Sequence, residues 1–254
     1  MKKFFTIASL LALTLSACSK EAAKSEQEGK GQVTISCVAE TTVADTRANI
    51  SCTTPAAEDF ALEIEGVGHT YSEEYASIAE FNADNYLHFG SYKATVVAGD
   101  IAVEGFNKPA FVGSEEFVVE ARKDVNVEIT ASIANAIVKV ETTENFERYF
   151  EGGHTLTLTT AAGNEFPVTA QSDLLFIAPA NFTISGTATK QAAQSGKEGA
   201  VVELAYDATE VAAQTLYTVK FDVAEAGSAT LTITLNETLV ESIEIDQELN
   251  DNAQ

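Results

Sequence analysis

The chain has 254 residues, of which 45% are hydrophobic, and it carries a formal net charge of -23. The hydrophobic content is sufficient for packed cores and excludes a wholly disordered chain. A charge this negative repels nucleic acid and anionic lipid head groups, so nucleic acid is not expected as a partner. The length predicts one or two domains of ordinary size.

The N-terminus has the layout of a secretory signal peptide. Lys2 and Lys3 precede an apolar run at residues 4–15, which is too short to span a bilayer. The run ends in Leu15-Ser16-Ala17-Cys18, which resembles the lipobox of bacterial lipoprotein precursors. This resemblance implies that residues 1–17 are removed and that Cys18 becomes a lipidated N-terminus, with palmitate among its acyl chains. It implies a protein anchored in the cell outer membrane through lipid and exposed at the surface. An ordinary signal peptide with a chance cysteine is the alternative.

Two cysteines remain once Cys18 is assigned to the lipid. Cys37 and Cys52 would lie outside the inner membrane, where a pair of thiols can oxidise. A disulfide between them would contribute about 3 kcal/mol in the chain-entropy picture. Buried free thiols are the alternative, and both interpretations stay open.

Residues 18–31 are predicted to form the lipidated cysteine and a flexible tether, because they are polar and lack large apolar side chains. From Gln32 onward, short runs alternate between apolar and polar residues, which predicts strands with one buried face. The apolar positions are, in chain order, Val33, Ile35 and Cys37; Phe60, Leu62 and Ile64; Phe117 and Val119; Val125, Val127 and Ile129; Leu156 and Leu158; Tyr217, Val219 and Phe221; and Leu231, Ile233 and Leu235. Helical spacing is limited to residues 72–81 and 145–150.

The two halves of the chain have the appearance of a divergent tandem repeat. Strand-forming runs open them at residues 33–38 and 137–142, and a tight turn precedes an aromatic residue in both 89–96 and 179–186. The sequence therefore predicts an all-β protein with two tandem antiparallel β-sandwich domains, transthyretin-like or immunoglobulin-like, at residues 32–133 and 134–254. One larger fused sandwich is the alternative.

Motifs for catalysis and metal binding are missing from the sequence. His69, His88 and His154 have no metal-ligand spacing, and neither G-x-S-x-G nor a phosphate loop occurs. The acidic residues within 241–251 fit the solvent face of a final strand better than a calcium loop. We therefore expect no catalytic residue, no cofactor and no bound metal, and the protein is predicted not to be an enzyme.

Tyrosines provide one candidate ligand surface. Tyr71, Tyr75 and Tyr86 fall in one short stretch that also contains Asn82 and Asn85. They could line a shallow glycan-binding cleft, or they could pack on the first sandwich. Packing is favoured, because burial of an aromatic ring gives the largest hydrophobic gain per residue. A glycan or a protein at the cell surface is the expected class of partner.

Short motifs follow one another along the chain in a defined order. They include Thr46-Arg47-Ala48, Asp59-Phe60, Glu65-Gly66, Glu104-Gly105-Phe106, Lys108-Pro109, residues 131–135 and residues 227–233. This series resembles a family of Bacteroidota lipoproteins classed as domain of unknown function 4493. The resemblance implies a cell-envelope lipoprotein with no assigned chemistry and no functional residues to transfer. Together these features predict a non-catalytic surface scaffold for adhesion or assembly.

A looser similarity is to the fimbrillin-like pilus proteins of the same phylum, which are lipoproteins of two transthyretin-like sandwiches. In that group a cut after an early arginine removes the first strand, and a strand of a neighbouring subunit replaces it. Arg47 follows the first predicted strand, where such a cut would fall, although it could also be a plain exposed loop residue. A Cys37–Cys52 disulfide would hold the first strand after the cut and so conflicts with this alternative function.

Overall fold

The computed structural model describes residues 29–44, 50–168, 173–191, 199–226, 228–236 and 238–244. These ranges are rich in strands, which are β1 (Lys30–Glu40), β2 (Ala61–Val67), β3 (Ser72–Tyr75), β4 (Tyr86–His88), β5 (Gly90–Ala98), β6 (Gly105–Phe106), β7 (Phe111–Val119), β8 (Asp124–Ile133), β9 (Ala136–Thr142), β10 (His154–Thr160), β11 (Glu165–Pro167), β12 (Leu175–Ile177), β13 (Phe182–Thr189), β14 (Val201–Ala208), β15 (Leu216–Ala226), β16 (Ser228–Leu235) and β17 (Thr238–Glu244). The α-helices are α1 (Ile78–Ala83) and α2 (Glu144–Tyr149), and a 3-10 turn spans Ala57–Asp59. Within the described ranges, no helix combines the length and the apolar character needed to cross a membrane.

The strands form three sheets. A seven-stranded sheet has the order β3-β2-β5-β7-β8-β1-β4, a four-stranded sheet the order β11-β10-β13-β14, and a six-stranded sheet the order β17-β16-β15-β9-β12-β6. The predicted all-β class is confirmed. The prediction of purely antiparallel pairing is wrong for two pairs, because β1 runs parallel to β8 and β9 runs parallel to β15. Alternation of apolar residues reveals which face of a strand is buried but not the direction of its neighbour.

The buried face of each strand follows the alternation in the sequence. In β1, Val33, Ile35 and Cys37 are buried, whereas Thr34 and Ser36 between them are exposed. Strands β2 and β10 alternate in the same way. The inward side chains gather into two hydrophobic cores, one for each half of the chain.

Strands β9 and β12 contribute to both cores. Ile137 of β9 packs in the first core, whereas the next residue, Val138, packs in the second. In β12, Phe176 packs in the first core, between Leu175 and Ile177 in the second. The short strand β6, from the first half of the chain, pairs with β12. The halves thus share a two-stranded wall, so two separate sandwiches are not confirmed, and a domain boundary between residues 133 and 134 stays a prediction.

Local predictions were less accurate at two places. Strand β1 begins at Lys30, so the tether predicted to extend to residue 31 is too long; residues 1–28 lie outside the described ranges. Gly31 already belongs to β1, and only glycine fits there, because an added Cβ would lie 2.6 Å from the carbonyl oxygen of Glu120. Residues 72–81 form β3 and the start of α1 rather than one helix. The helix predicted at residues 145–150 is confirmed as α2.

Candidate functional site

Strand β1 is the element on which both the predicted disulfide and the predicted processing site depend. Residues 32–40 of this strand pair in parallel with residues 124–132 of β8. On the opposite side of β1, strand β4 pairs only with Lys30, Gly31 and Gln32. From Val33 to the end of β1, this side has no strand neighbour within the described part of the chain. It is therefore an edge that side chains and loops must cover.

The side chain of Asn82 covers this edge at Ile35. The Nδ2 of Asn82 donates to the carbonyl oxygen of Ile35 at 2.8 Å, and the backbone N–H of Ile35 donates to Oδ1 at 3.1 Å. Beside it, the N–H of Val33 donates to the carbonyl oxygen of Asn85 at 2.8 Å. A side-chain amide carries one carbonyl and N–H donors, so Asn82 takes the place of a peptide group on a neighbouring strand.

Helix α1 positions Asn82 against β1. The N–H of Glu80 donates to Ser77 Oγ at 3.1 Å, and the carboxylate of Glu80 accepts from the N–H of Ala76 at 2.8 Å. Ile78 and Phe81 are buried in the first core. This Ser-x-x-Glu cap, followed by two core residues, fixes both the start of the helix and its orientation. The same pattern in the sequence could have located the helix and the residue that follows Phe81.

The described residues on either side of the predicted processing site are bonded to each other. The N–H of Ile50 donates to the carbonyl oxygen of Thr41 at 2.8 Å, and Val43 is fully buried in the first core. Arg47 lies in residues 45–49, outside the described ranges, so its processing stays a prediction. Cys18, the predicted lipidation site, is also outside them.

The two remaining cysteines belong to the first core. Cys37 is buried on β1, and Cys52 is half-buried and packs against the same core. Both are thiols in the structure, and the predicted disulfide stays a prediction. Burial raises the pKa of the Cys37 and Cys52 thiols, so neither has the lowered pKa of a reactive nucleophile.

The tyrosines considered for a glycan cleft are used largely for packing. Tyr71 and Tyr75 are half-buried against the first core, and their hydroxyl oxygens lie 3.3 Å apart. The Tyr71 ring meets Tyr92 edge-on at 5.3 Å, and Tyr75 meets Phe81 edge-on at 5.1 Å. Burial, and then the hydrogen bond to Tyr75, raise the pKa of Tyr71 far above its ordinary value. Packing, the favoured interpretation, is therefore confirmed for Tyr71 and Tyr75.

The histidines that the sequence excluded as metal ligands make backbone and packing contacts; the carbonyl oxygen of His88 accepts from the Tyr92 hydroxyl at 3.0 Å. His69 is in the turn between β2 and β3, where its Nε2 donates to the carbonyl oxygen of Ser91 at 3.0 Å. His154 packs edge-on against Phe146 at 5.2 Å. Across the residues that the structure describes, no group of three or more His, Cys, Asp or Glu side chains could hold a metal ion.

A carboxylate that sequence reasoning missed joins the two halves. One oxygen of Glu104 accepts from Thr160 Oγ1 at 2.6 Å and from Asn164 Nδ2 at 2.8 Å. The other accepts from the N–H of Ala178 at 3.0 Å. These partners lie 56 to 74 residues further along the chain, so no local pattern identifies them. Glu104 fixes the segment that leads into β6 on the second half.

Comparison with known proteins gives one family over most of the chain. The family model described as a domain of unknown function (DUF4493) matches residues 29–251. No curated protein matches the chain.

The chain is also similar to solved structures of bacterial proteins, at low sequence identity. A fimbrial assembly protein from Parabacteroides distasonis is 10% identical, with a TM-score of 0.47, over 86% of this chain and 99% of that one. A candidate polysaccharide-binding protein from Bacteroides thetaiotaomicron is 11% identical, with a TM-score of 0.43, over 87% and 99%. A candidate cell adhesion protein from Bacteroides eggerthii is 10% identical, with a TM-score of 0.41, over 84% and 96%.

Proposed function

The chain belongs to the DUF4493 family, and from this premise we propose that it is a lipid-anchored cell-envelope protein, a non-catalytic surface scaffold for adhesion or assembly. The observation that carries the proposal is the motif Leu15-Ser16-Ala17-Cys18 after a basic and apolar N-terminal stretch. A cysteine that carries more than one acyl chain is sufficient for stable membrane anchoring.

The spacing between the proposed anchor and β1 supports this function. Strand β1 begins at Lys30, a short distance along the chain from Cys18. An extended chain spans at most about 3.6 Å per residue, so the start of β1 would lie within roughly 40 Å of the anchor. The net charge of -23 would keep the folded body away from anionic head groups.

The converging polar groups support a scaffold rather than a catalyst. The carboxylate of Glu104 accepts hydrogen bonds from three donors of the second half, and the amide of Asn82 forms two hydrogen bonds with β1. A catalytic group instead needs a donor or acceptor atom that is directed at the substrate, and its pKa is often perturbed. The polar clusters around Glu104 and Asn82 therefore serve the fold.

Labelling with an alkyne fatty acid in growing cells tests the anchor. The wild-type protein should take up the label and remain with the membrane fraction, whereas Cys18→Ala should lose both properties. Cys52→Ala is the matched control and should keep the label. A wild-type protein without label, or a Cys18→Ala variant that retains it, would contradict the proposal. Protease treatment of intact cells should then remove the wild-type protein if it faces outward.

A second candidate function is strand exchange, as in a pilus subunit or anchor. The observation that favours it is the place of β1, the first strand of the body, with most of one edge unpaired by any described strand. Strand exchange further requires that Cys37 and Cys52 stay thiols, as they are in the structure, because a disulfide between them would tie β1 to the loop that contains Cys52. Removal of β1 would expose the first core beside β8 to a strand from another copy.

Limited trypsin digestion of the mature protein tests this second function. Strand exchange predicts a single early cut after Arg47, followed by a ladder of oligomers. A protein that stays an intact monomer would count against it. Mass spectrometry without reductant should find two alkylatable thiols, whereas a Cys37–Cys52 disulfide would prevent release of β1.

A further inference from the structure

Gln214 joins three separate segments of the chain. Its backbone N–H donates to the carbonyl oxygen of Asn135 at 2.8 Å, and its own carbonyl oxygen accepts from the N–H of Ala44 at 2.8 Å. Its side-chain Nε2 donates to the carbonyl oxygen of Thr42 at 2.9 Å. Gln214, two residues before β15 in the second half, thus holds both the link between the halves and the segment that follows β1.

The backbone of Gln214 is in a conformation that glutamine rarely adopts. Its φ is 55°, in the left-handed region where a Cβ crowds the following carbonyl group. Such a conformation is costly and persists only where the surroundings impose it. Here the three hydrogen bonds impose it.

The segment that Gln214 holds is anchored in both halves. Val43 is fully buried in the first core, while its neighbours Thr42 and Ala44 bond to Gln214 through their backbones. Asn135 is itself fixed, because its Oδ1 accepts from the N–H of Ala110 at 2.6 Å in a fully buried position. Thr42–Ala44 therefore cannot move without either breaking the Gln214 bonds or displacing the link between the halves.

We propose that Gln214 is a clip through which the second half holds β1 in place. The strand has β8 along one side and only a short neighbour on the other, so contacts just beyond its C-terminal end add to what β8, the core and Asn82 contribute to its retention. The clip bonds the residues that follow the C-terminal end of β1 to the second half of the molecule. Control of strand release by this clip rests on the strand-exchange function proposed above, whereas the clip itself does not.

Hydrogen exchange of the full mature protein measures the clip directly. Gln214→Gly removes the hydrogen bond from Nε2 to Thr42. Glycine adopts a positive φ readily, so the variant should fold. We expect the amides of β1 and of Thr42–Ala44 to exchange roughly five-fold faster than in wild type, the effect of one hydrogen bond. Amides of β9 and β15 should be unchanged. Equal rates in β1 of both proteins, or a uniform rise over both halves, would overturn the proposal.

A matched glutamine in the second half provides the control. Gln191 also donates through Nε2 to a backbone carbonyl, that of Arg148, but both residues belong to the second half. Gln191→Ala should leave exchange in β1 unchanged, and acceleration there would show that β1 responds to any loss of stability rather than to a clip.

Native size-exclusion after trypsin separates failure of the clip from failure of strand exchange. If the clip holds, a fragment ending at Arg47 co-elutes with the wild-type body and dissociates faster from Gln214→Gly. A fragment that leaves both proteins at the same rate would overturn the clip. Absence of any cut after Arg47 would contradict the strand-exchange function, and hydrogen exchange alone would then decide on the clip.

Discussion

Strands β1 and β9 open the two halves of the molecule in the same way but are held very differently. Each pairs in parallel with a later strand of its half, β1 with β8 and β9 with β15. Strand β9 has strand neighbours on both sides and buries side chains in both cores. Strand β1 buries only one face. Its hydrogen-bonding edge away from β8 is covered mainly by Asn82 and by loops. The difference indicates that β9 unfolds only together with the whole protein, whereas β1 can unfold locally.

The largest expected effect comes from matched truncations in the two strands. Ile137→Ala should lower the free energy of unfolding by about 3–5 kcal/mol, because the residue packs in the wall shared by both cores. Ile35→Ala should cost about 2–3 kcal/mol, because the edge of β1 can relax around the cavity. Urea unfolding followed by circular dichroism measures both values. The exposed Val38 supplies a control, Val38→Ala, and an equal or inverted order of the two isoleucine variants would contradict the comparison.

Glu104 tests how firmly the first half is fixed to the second. Glu104→Ala leaves the donors of Thr160, Asn164 and Ala178 without their acceptor and should cost about 2–4 kcal/mol in urea unfolding. Glu104→Gln keeps one acceptor oxygen and should lose less. Glu116→Ala, at an exposed carboxylate of β7, should change stability by less than about 0.5 kcal/mol. A loss with Glu104→Ala no greater than this control would argue against a role in joining the halves.

Removal of the amide that covers β1 should have a smaller and local effect. Asn82→Ala leaves Ile35 without its side-chain partner, and we expect a loss of about 1–2 kcal/mol in stability. Hydrogen exchange should rise in β1 and remain unchanged in β9. Asn126→Ala on β8, where the side chain is exposed, is the control and should leave both strands unaffected. Increased exchange in β9 as well would show that the two strands open together.

The smallest effect is expected from alkaline pH. Burial raises the pKa of Tyr71 and Tyr92 in the first half and of Tyr149 and Tyr206 in the second. A raised pKa in the folded state means that the stabilising contribution is complete below the unfolded value of about 10 and is lost as pH rises above it. Urea midpoints should therefore fall between about pH 9 and pH 11, less steeply in Tyr71→Phe. A constant midpoint would contradict this expectation.

The difference between the two opening strands is only partly visible in the sequence. Val33, Ile35 and Cys37 alternate with polar residues, and this pattern correctly predicted a strand with one buried face. The run Ile137-Val138 does not alternate, which is typical of a strand buried on both faces, but a run this short does not reveal two different cores. Asn82 was considered only as part of a possible glycan cleft, because its contact with Ile35 joins residues 47 positions apart and no local pattern shows that a strand edge lies beside it.

The sequence by itself determined the strand-rich class, the buried face of the strands whose apolar and polar residues alternate, the short helix α2 and the resemblance to the family. These properties depend on residues two to four positions apart, which a linear pattern records. Tertiary structure alone decided the parallel pairing of β1 with β8, the wall shared by β9 and β12, and the contacts of Glu104 and Gln214. The hydrogen bond between Gln214 and Thr42 joins residues 172 positions apart. Such a contact exists only after both cores have packed, because packing brings the two segments within reach.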